Sequence, residues 1–125
     1  MGQKILIVDD NPDIVEVISS RLEANDYEVI SALTGAEALK KAKAERPDLI
    51  ILDINMAEMD GFEIGTLLRK DTATRKIPII MATARGDQAD IVEALQKVGP
   101  QAYVIKPFMP EALLSEIKRV LGKSV

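Results

Sequence analysis

The 125-residue sequence contains no cysteine, no histidine and no tryptophan. Without cysteine there is no disulfide framework, no thiolate nucleophile and no zinc–thiolate centre. Without histidine there is no imidazole base, no imidazole metal ligand and no phosphohistidine formed on the chain itself. Aromatics are scarce: Tyr27, Tyr103, Phe62 and Phe108 are the whole set. No apolar run reaches the roughly 20 residues needed to span a bilayer, and no signal-peptide pattern appears. A basic excess is also missing, since 16 Lys and Arg face 20 Asp and Glu for a net charge of −4. That balance argues against direct nucleic-acid binding, which needs a surface that attracts phosphates. A cytoplasmic protein without membrane contact is expected.

Hydrophobic residues make up 47% and charged residues 29%, a globular composition. The length suits a single domain over residues 1–125. Along it, short apolar runs alternate with helix-period segments. Ile5–Val8 and Leu49–Leu52 are unbroken apolar runs, as expected of strands buried on both faces. Glu28–Leu33, Pro78–Ala82 and Ala102–Ile105 read as three further strands, the first of them polar enough for a sheet edge. Between them, Ile14, Ile18 and Leu22 share one helix face. Thr34 and Glu37 form the Thr-x-x-Glu signature of a helix start. That helix would bury Ala38, Leu39 and Ala42 and expose Lys40, Lys41 and Lys43. A third helix after Asp60-Gly61 would turn Ile64, Leu67 and Leu68 inward. A fourth would carry Ile91, Leu95 and Val98 and stop before Gly99-Pro100. The last would start near Pro110, bury Leu113, Ile117, Val120 and Leu121, and end at Gly122. Five strands alternating with five helices predict an α/β sandwich on a parallel sheet.

In such sheets, sites form beyond the carboxyl ends of the strands. Strand one ends in Asp9-Asp10, strand three in Asp53, strand four in Thr83, and strand five runs into Lys106-Pro107. A parallel sheet gathers these residues at one edge. Three carboxylates there repel one another unless a cation compensates. A hard divalent ion such as Mg²⁺ fits an all-oxygen donor set. With a lysine for a phosphoryl oxygen and a threonine hydroxyl, the set suits phosphoryl transfer to a carboxylate. Asp9 and Asp10 are also placed to cap the helix that follows Asn11-Pro12.

The strings Asp9-Asp10, Leu52-Asp53-Ile54-Asn55-Met56, Met59-Asp60-Gly61, Ala82-Thr83-Ala84 and Tyr103-Val104-Ile105-Lys106-Pro107-Phe108 occur in that order along the chain. Together they resemble the receiver domains of two-component response regulators. The resemblance implies a flavodoxin-like doubly wound (βα)5 fold with strand order 2-1-3-4-5. It implies that Asp53 is the phosphoacceptor and that Mg²⁺, or Mn²⁺ in its place, is held by Asp9, Asp10, Asp53 and the main-chain carbonyl of Asn55. It further implies that Lys106 pairs with Asp53 and then with the phosphoryl group. Thr83 and Tyr103 act as switch residues, the Lys106–Pro107 bond is cis, and Asn55 and Arg85 tune the lifetime of the phosphoryl group. The implied partners are a sensor histidine kinase or histidine phosphotransfer protein, and a downstream protein on the Asp87–Leu121 face. The implied state is a monomer or a phosphorylation-dependent dimer. Such a domain is not an enzyme acting on external substrates; it catalyses only its own phosphorylation and dephosphorylation. A phosphorelay intermediate and a phosphorylation-independent binding module are the alternatives within the family. Ala57 stands where the family commonly has proline, and Val98–Ala102 departs from its usual Gly-Ala-rich turn. Flavin binding fits poorly, because Asp9-Asp10-Asn11-Pro12-Asp13 would repel a phosphate. A phosphatase with an external substrate lacks a second acid at Asn55 and a cap domain.

Overall fold

Apolar runs and capped amphipathic segments divide the chain as their patterns dictate. The computed structural model describes residues 3–54, 61–84, 96, 98–106 and 110–122. Within these the order is β1 (Lys4–Val8), α1 (Pro12–Glu23), β2 (Glu28–Ala32), α2 (Gly35–Glu45), β3 (Leu49–Asp53), α3 (Gly61–Lys70), β4 (Ile79–Ala84), β5 (Ala102–Lys106) and α4 (Pro110–Gly122). The five strands form one parallel sheet in the order β2-β1-β3-β4-β5. The expected edge position of β2 is therefore correct. The predicted helix carrying Ile91, Leu95 and Val98 falls mostly outside the described residues; Gln96 is helical and Val98 is buried. No helix among the described residues is long and apolar enough to cross a membrane.

Strand alternation splits the core in two. Ile5, Ile7, Leu49, Ile51, Ile80, Ala82 and Val104 meet α1 and α4 on one face. Leu6, Val8, Ile50, Leu52, Ile79 and Met81 meet α2 and α3 on the other. Both faces of β1 and β3 are dry, which is why those strands read as unbroken apolar runs.

Local signals fix the helix starts. Asn11 is the N-cap of α1, its side chain accepting from the Asp13 and Ile14 amides, with Pro12 at the first helical position. Capping therefore falls to Asn11 and not to Asp9-Asp10. Thr34 caps α2 by accepting from Glu37 N. Glu37 reciprocates one residue further back than the usual box, accepting from Leu33 N at 2.9 Å.

The inward stripes differ from expectation on each of α1, α2 and α3. On α1 the buried set is Val15, Ile18 and Leu22, with Ile14 only half-buried beside it. On α2, Leu39 is half-buried and Lys41 is not fully exposed. On α3 the buried set is Gly61, Ile64, Gly65 and Leu68, an i, i+3, i+4, i+7 stripe. Leu67 lies outside that stripe and is 42% exposed. Gly65 takes an inward position because Val98 packs against it: a Cβ there would stand 2.8 Å from both Val98 methyls.

Candidate functional site

β1 has β2 on one side and β3 on the other, so the chain reverses its direction of travel across the sheet between β1 and β3. Helical connections on either side of that point leave a crevice beyond the strand ends. Val8 pairs with Leu52, so the next residues, Asp9 and Asp53, emerge side by side. Alternation through Ile5 and Ile7, and through Leu49 and Ile51, directs both toward the α1 and α4 face. Asp9 is 4% exposed and Asp53 3%, whereas Asp10 is exposed. One carboxylate oxygen from each of the three lies within 4.8 Å of the others.

Hydrogen bonds hold the frame of this cluster. Asp9 Oδ1 accepts from Asn11 N at 3.0 Å, joining the first carboxylate to the cap of α1. Asp9 N donates to Ala32 O at 3.2 Å, tying the turn to β2. Ile54 N donates to Ala82 O at 2.9 Å, which carries the β3–β4 ladder past Asp53. Gly61 N donates to Ile54 O at 3.0 Å, bringing the start of α3 against the end of β3. Gly61 is required there: a Cβ would stand 2.7 Å from both Asp53 O and Ile54 Cα.

The remaining predicted residues are placed in part. Thr83 and Lys106 lie at the carboxyl ends of neighbouring strands, where Thr83 pairs with Ile105 and Ala84 with Lys106. Their side chains are outside the described set, as are Asn55, Arg85 and Pro107. Tyr103 pairs with Met81 on β5 and is 45% exposed, with Ile105 at 44%. The sequence reading overlooked Asn11 and the close approach at Gly61. A signal for the first was present in Asn-Pro at a helix start.

The donor set fits a hard divalent cation. Three carboxylates give oxygen ligands only, and their span is on the scale of an octahedral Mg²⁺ shell with bonds of about 2.0–2.1 Å completed by waters. Carboxylates gathered at one point repel one another, and a bound dication would offset that repulsion.

The response regulator receiver domain, as a family, matches residues 5–118. The chain is 41% identical over 124 residues to the alkaline phosphatase synthesis transcriptional regulatory protein PhoP of Bacillus subtilis, covering 99% of this chain and 50% of that protein. It thus spans about half the length of the curated relatives it matches. Among solved structures, chemotaxis protein CheY4 of Vibrio cholerae superposes with a TM-score of 0.89 at 38% identity, over 96% of this chain and 99% of that one. The receiver domain of a sensor histidine kinase from Pseudomonas aeruginosa superposes with a TM-score of 0.88 at 34% identity, over 98% and 99%. That domain has a magnesium ion coordinated in its active-site cleft.

Proposed function

The chain belongs to the response regulator receiver domain family, and from that premise we propose that it is a phosphorylation-dependent switch, one domain over residues 1–125, whose phosphoacceptor is Asp53. The observation that carries this reading is a buried Asp53 carboxylate within 4.8 Å of the oxygens of Asp9 and Asp10 at the topological switch point. Asp9, Asp10, Asp53 and, by the family resemblance, the Asn55 carbonyl would hold Mg²⁺, or Mn²⁺ in its place. When bound, the ion supplies the positive charge that lets a phosphoryl dianion approach a carboxylate.

In the reaction, an Asp53 carboxylate oxygen attacks the phosphorus of a partner's phosphohistidine. The new O–P bond forms as the P–N bond breaks, and the electron pair returns to the imidazole nitrogen, which takes a proton from solvent. Lys106 holds a phosphoryl oxygen from the end of β5. Thr83, one strand nearer, donates its hydroxyl to another. In the reverse arm a water attacks phosphorus, the O–P bond to Asp53 breaks, and inorganic phosphate leaves. By resemblance to the family, Arg85 and Asn55 are assigned to tuning the rate of this step. The site thus catalyses chemistry on itself and has no external substrate.

The aspartyl phosphate biases a two-state equilibrium. Thr83 and Tyr103 on adjoining strands carry the change to the Asp87–Leu121 face, where a downstream protein docks, and the domain is a monomer or a phosphorylation-dependent dimer. A phosphorelay intermediate is the second reading, supported by similarity to a receiver domain carried by a histidine kinase. In that case the phosphoryl group passes onward to a phosphotransfer histidine.

The test is intact-mass measurement after incubation with a small phosphodonor and Mg²⁺. One phosphoryl group should be added to the parent chain. Asp53→Asn, or excess chelator, should abolish it. Equal labelling of Asp53→Asn removes the assignment.

A further inference from the structure

β5 reads Ala102-Tyr103-Val104-Ile105-Lys106, apolar at four successive positions. A strand is normally locked in register because a one-residue slip exchanges its buried and exposed faces. In β5 that exchange replaces Ala102 and Val104 by Tyr103 and Ile105, all apolar, so patterning specifies the register only weakly. β5 is also an edge strand, paired among the described residues with β4 alone. Yet the register matters at its far end. A slip of one residue moves Lys106 by about 3.3 Å along the sheet, and a slip of two by about 6.6 Å.

The turn that enters β5 is held from α3. Arg69 Nε donates to Val98 O at 2.9 Å. One terminal nitrogen donates to Arg75 O at 2.8 Å and Ile77 O at 2.7 Å. The other donates to Gln101 Oε1 at 3.2 Å and, at the longer distance of 3.4 Å, to Gly99 O. A guanidinium has five N–H donors in a fixed planar fork, and here all five find uncharged oxygens from two segments, the approach to β4 and the approach to β5. Gln101 completes the connection. Its Oε1 accepts from Ile79 N at 2.8 Å, and its backbone N donates to Ile79 O at 2.9 Å. Ile79 and Gln101 therefore bond twice at the first residue of β4. Val98 is seated beside them, packed against Gly65 one turn before Arg69. Gly99, at φ 64°, makes the left-handed turn between Val98 and the strand.

We propose that Arg69 is a positioning residue for the phosphorylation site: by gripping the Val98–Gln101 turn it sets the register of edge strand β5 on β4, and so the placement of Lys106 at the opposite end of that strand. The proposal rests on the role given above to Lys106, but the register itself is measurable without it. Lysine cannot substitute for Arg69, because three donors on a point charge do not span acceptors fixed for a planar fork. Asp9 and Asp10 follow β1 and Asp53 ends β3, so metal binding should be independent of the clamp.

The experiment compares the parent with Arg69→Ala, Arg69→Lys and Gln101→Ala. Cross-strand NOEs for the pairs Ile80–Ala102 and Met81–Tyr103 report register. Amide shifts of Asp9 and Asp10 under Mg²⁺ titration report metal affinity. Intact mass with acetyl phosphate reports the labelling rate of Asp53. The expected result for Arg69→Ala is weakened native pairs with a second set of β5 signals, metal affinity within about twofold, and labelling slowed by at least about tenfold, since displacements of an ångström already have such effects. Arg69→Lys should behave like Arg69→Ala, and Gln101→Ala should shift both readouts in the same direction by less. A single native register in the Arg69 variants overturns the proposal, and so does a parental labelling rate despite a changed register. If Arg69→Ala does not fold, Arg69→Lys and Gln101→Ala are judged by the same two criteria. If the parent is not labelled on Asp53, the phosphoacceptor reading fails, while the NOEs still decide whether Arg69 sets the strand.

Discussion

Replacing Gly61 by alanine adds one methyl group where α3 touches the end of β3. That methyl would stand 2.7 Å from Asp53 O, 2.7 Å from Ile54 Cα and 3.2 Å from Asp53 C. Ordinary contact begins at 3.4 Å, so the two backbones must separate by several tenths of an ångström. Neither side gives easily. Ile54 is held to β4 through Ala82 O, and Gly61 is held to Ile54 O. Overpacking against rigid backbone costs about 1–3 kcal/mol. Alanine returns up to about 1 kcal/mol of helix propensity, less at a first helical residue. The net expectation is a loss of about 1–2 kcal/mol, or roughly 3–10 °C in melting temperature for a domain of this size. The displaced atoms belong to the proposed phosphoacceptor, so labelling of Asp53 by a small phosphodonor should slow by about tenfold or more. Urea unfolding and the initial rate by intact mass check the two parts. Gly122→Ala is the control, because a Cβ at Gly122 meets nothing within 4 Å. A Gly61→Ala protein with parental midpoint and parental labelling rate would refute the close-approach argument.

Two further outcomes follow from the helix ends. Arg46 terminates α2 in the left-handed conformation at φ 48°, so Arg46→Gly should raise stability by about 0.5–1 kcal/mol, read as a higher urea midpoint; a lower midpoint counts against conformational strain there. The hydrogen bond from Leu33 N, and then Lys41, hold the Glu37 carboxyl below its ordinary range. A depressed folded value gives stability that is present above the unfolded value of about 4.3 and is lost as pH falls through the folded one. Glu37→Gln should therefore flatten the acid limb of the stability curve between about pH 5 and 3; parallel limbs for the two proteins would exclude this contribution.

Much of the site is legible because its residues announce themselves by position. Asp9-Asp10 and Asp53 follow apolar runs that have no polar member, so each carboxylate marks a strand end. A parallel sheet then has only one edge where strand ends meet, and the three oxygens lie there within 4.8 Å. Ile105, by contrast, reads only as a strand residue, and Tyr103 stands out only through the family resemblance; the exposure of both follows from β5 having one face without a covering core among the described residues. Leu67 shows the reverse error. Its apolarity suggests an inward position, but Gly61 and Gly65 occupy that stripe, and glycine gives no hydropathic sign that it faces a core. The reason lies in two partners distant in sequence, the Asp53–Ile54 backbone and Val98, which need the space a Cβ would fill.

Arg69 is hidden for a different reason. A basic residue in the last turn of a helix has a ready local explanation, since it complements the negative end of the helix dipole and is usually solvated. Nothing near it in sequence contradicts that explanation. Three of its five acceptors, on Val98, Gly99 and Gln101, come about 30 residues later, and none of the five is a carboxylate. Burial lowers the pKa of its guanidinium. A cation kept in such surroundings is worth its desolvation only if the geometry it imposes is needed. The strand it precedes is the one whose register the apolar pattern leaves open, so the ordered fork of hydrogen bonds supplies the specification that hydropathy omits.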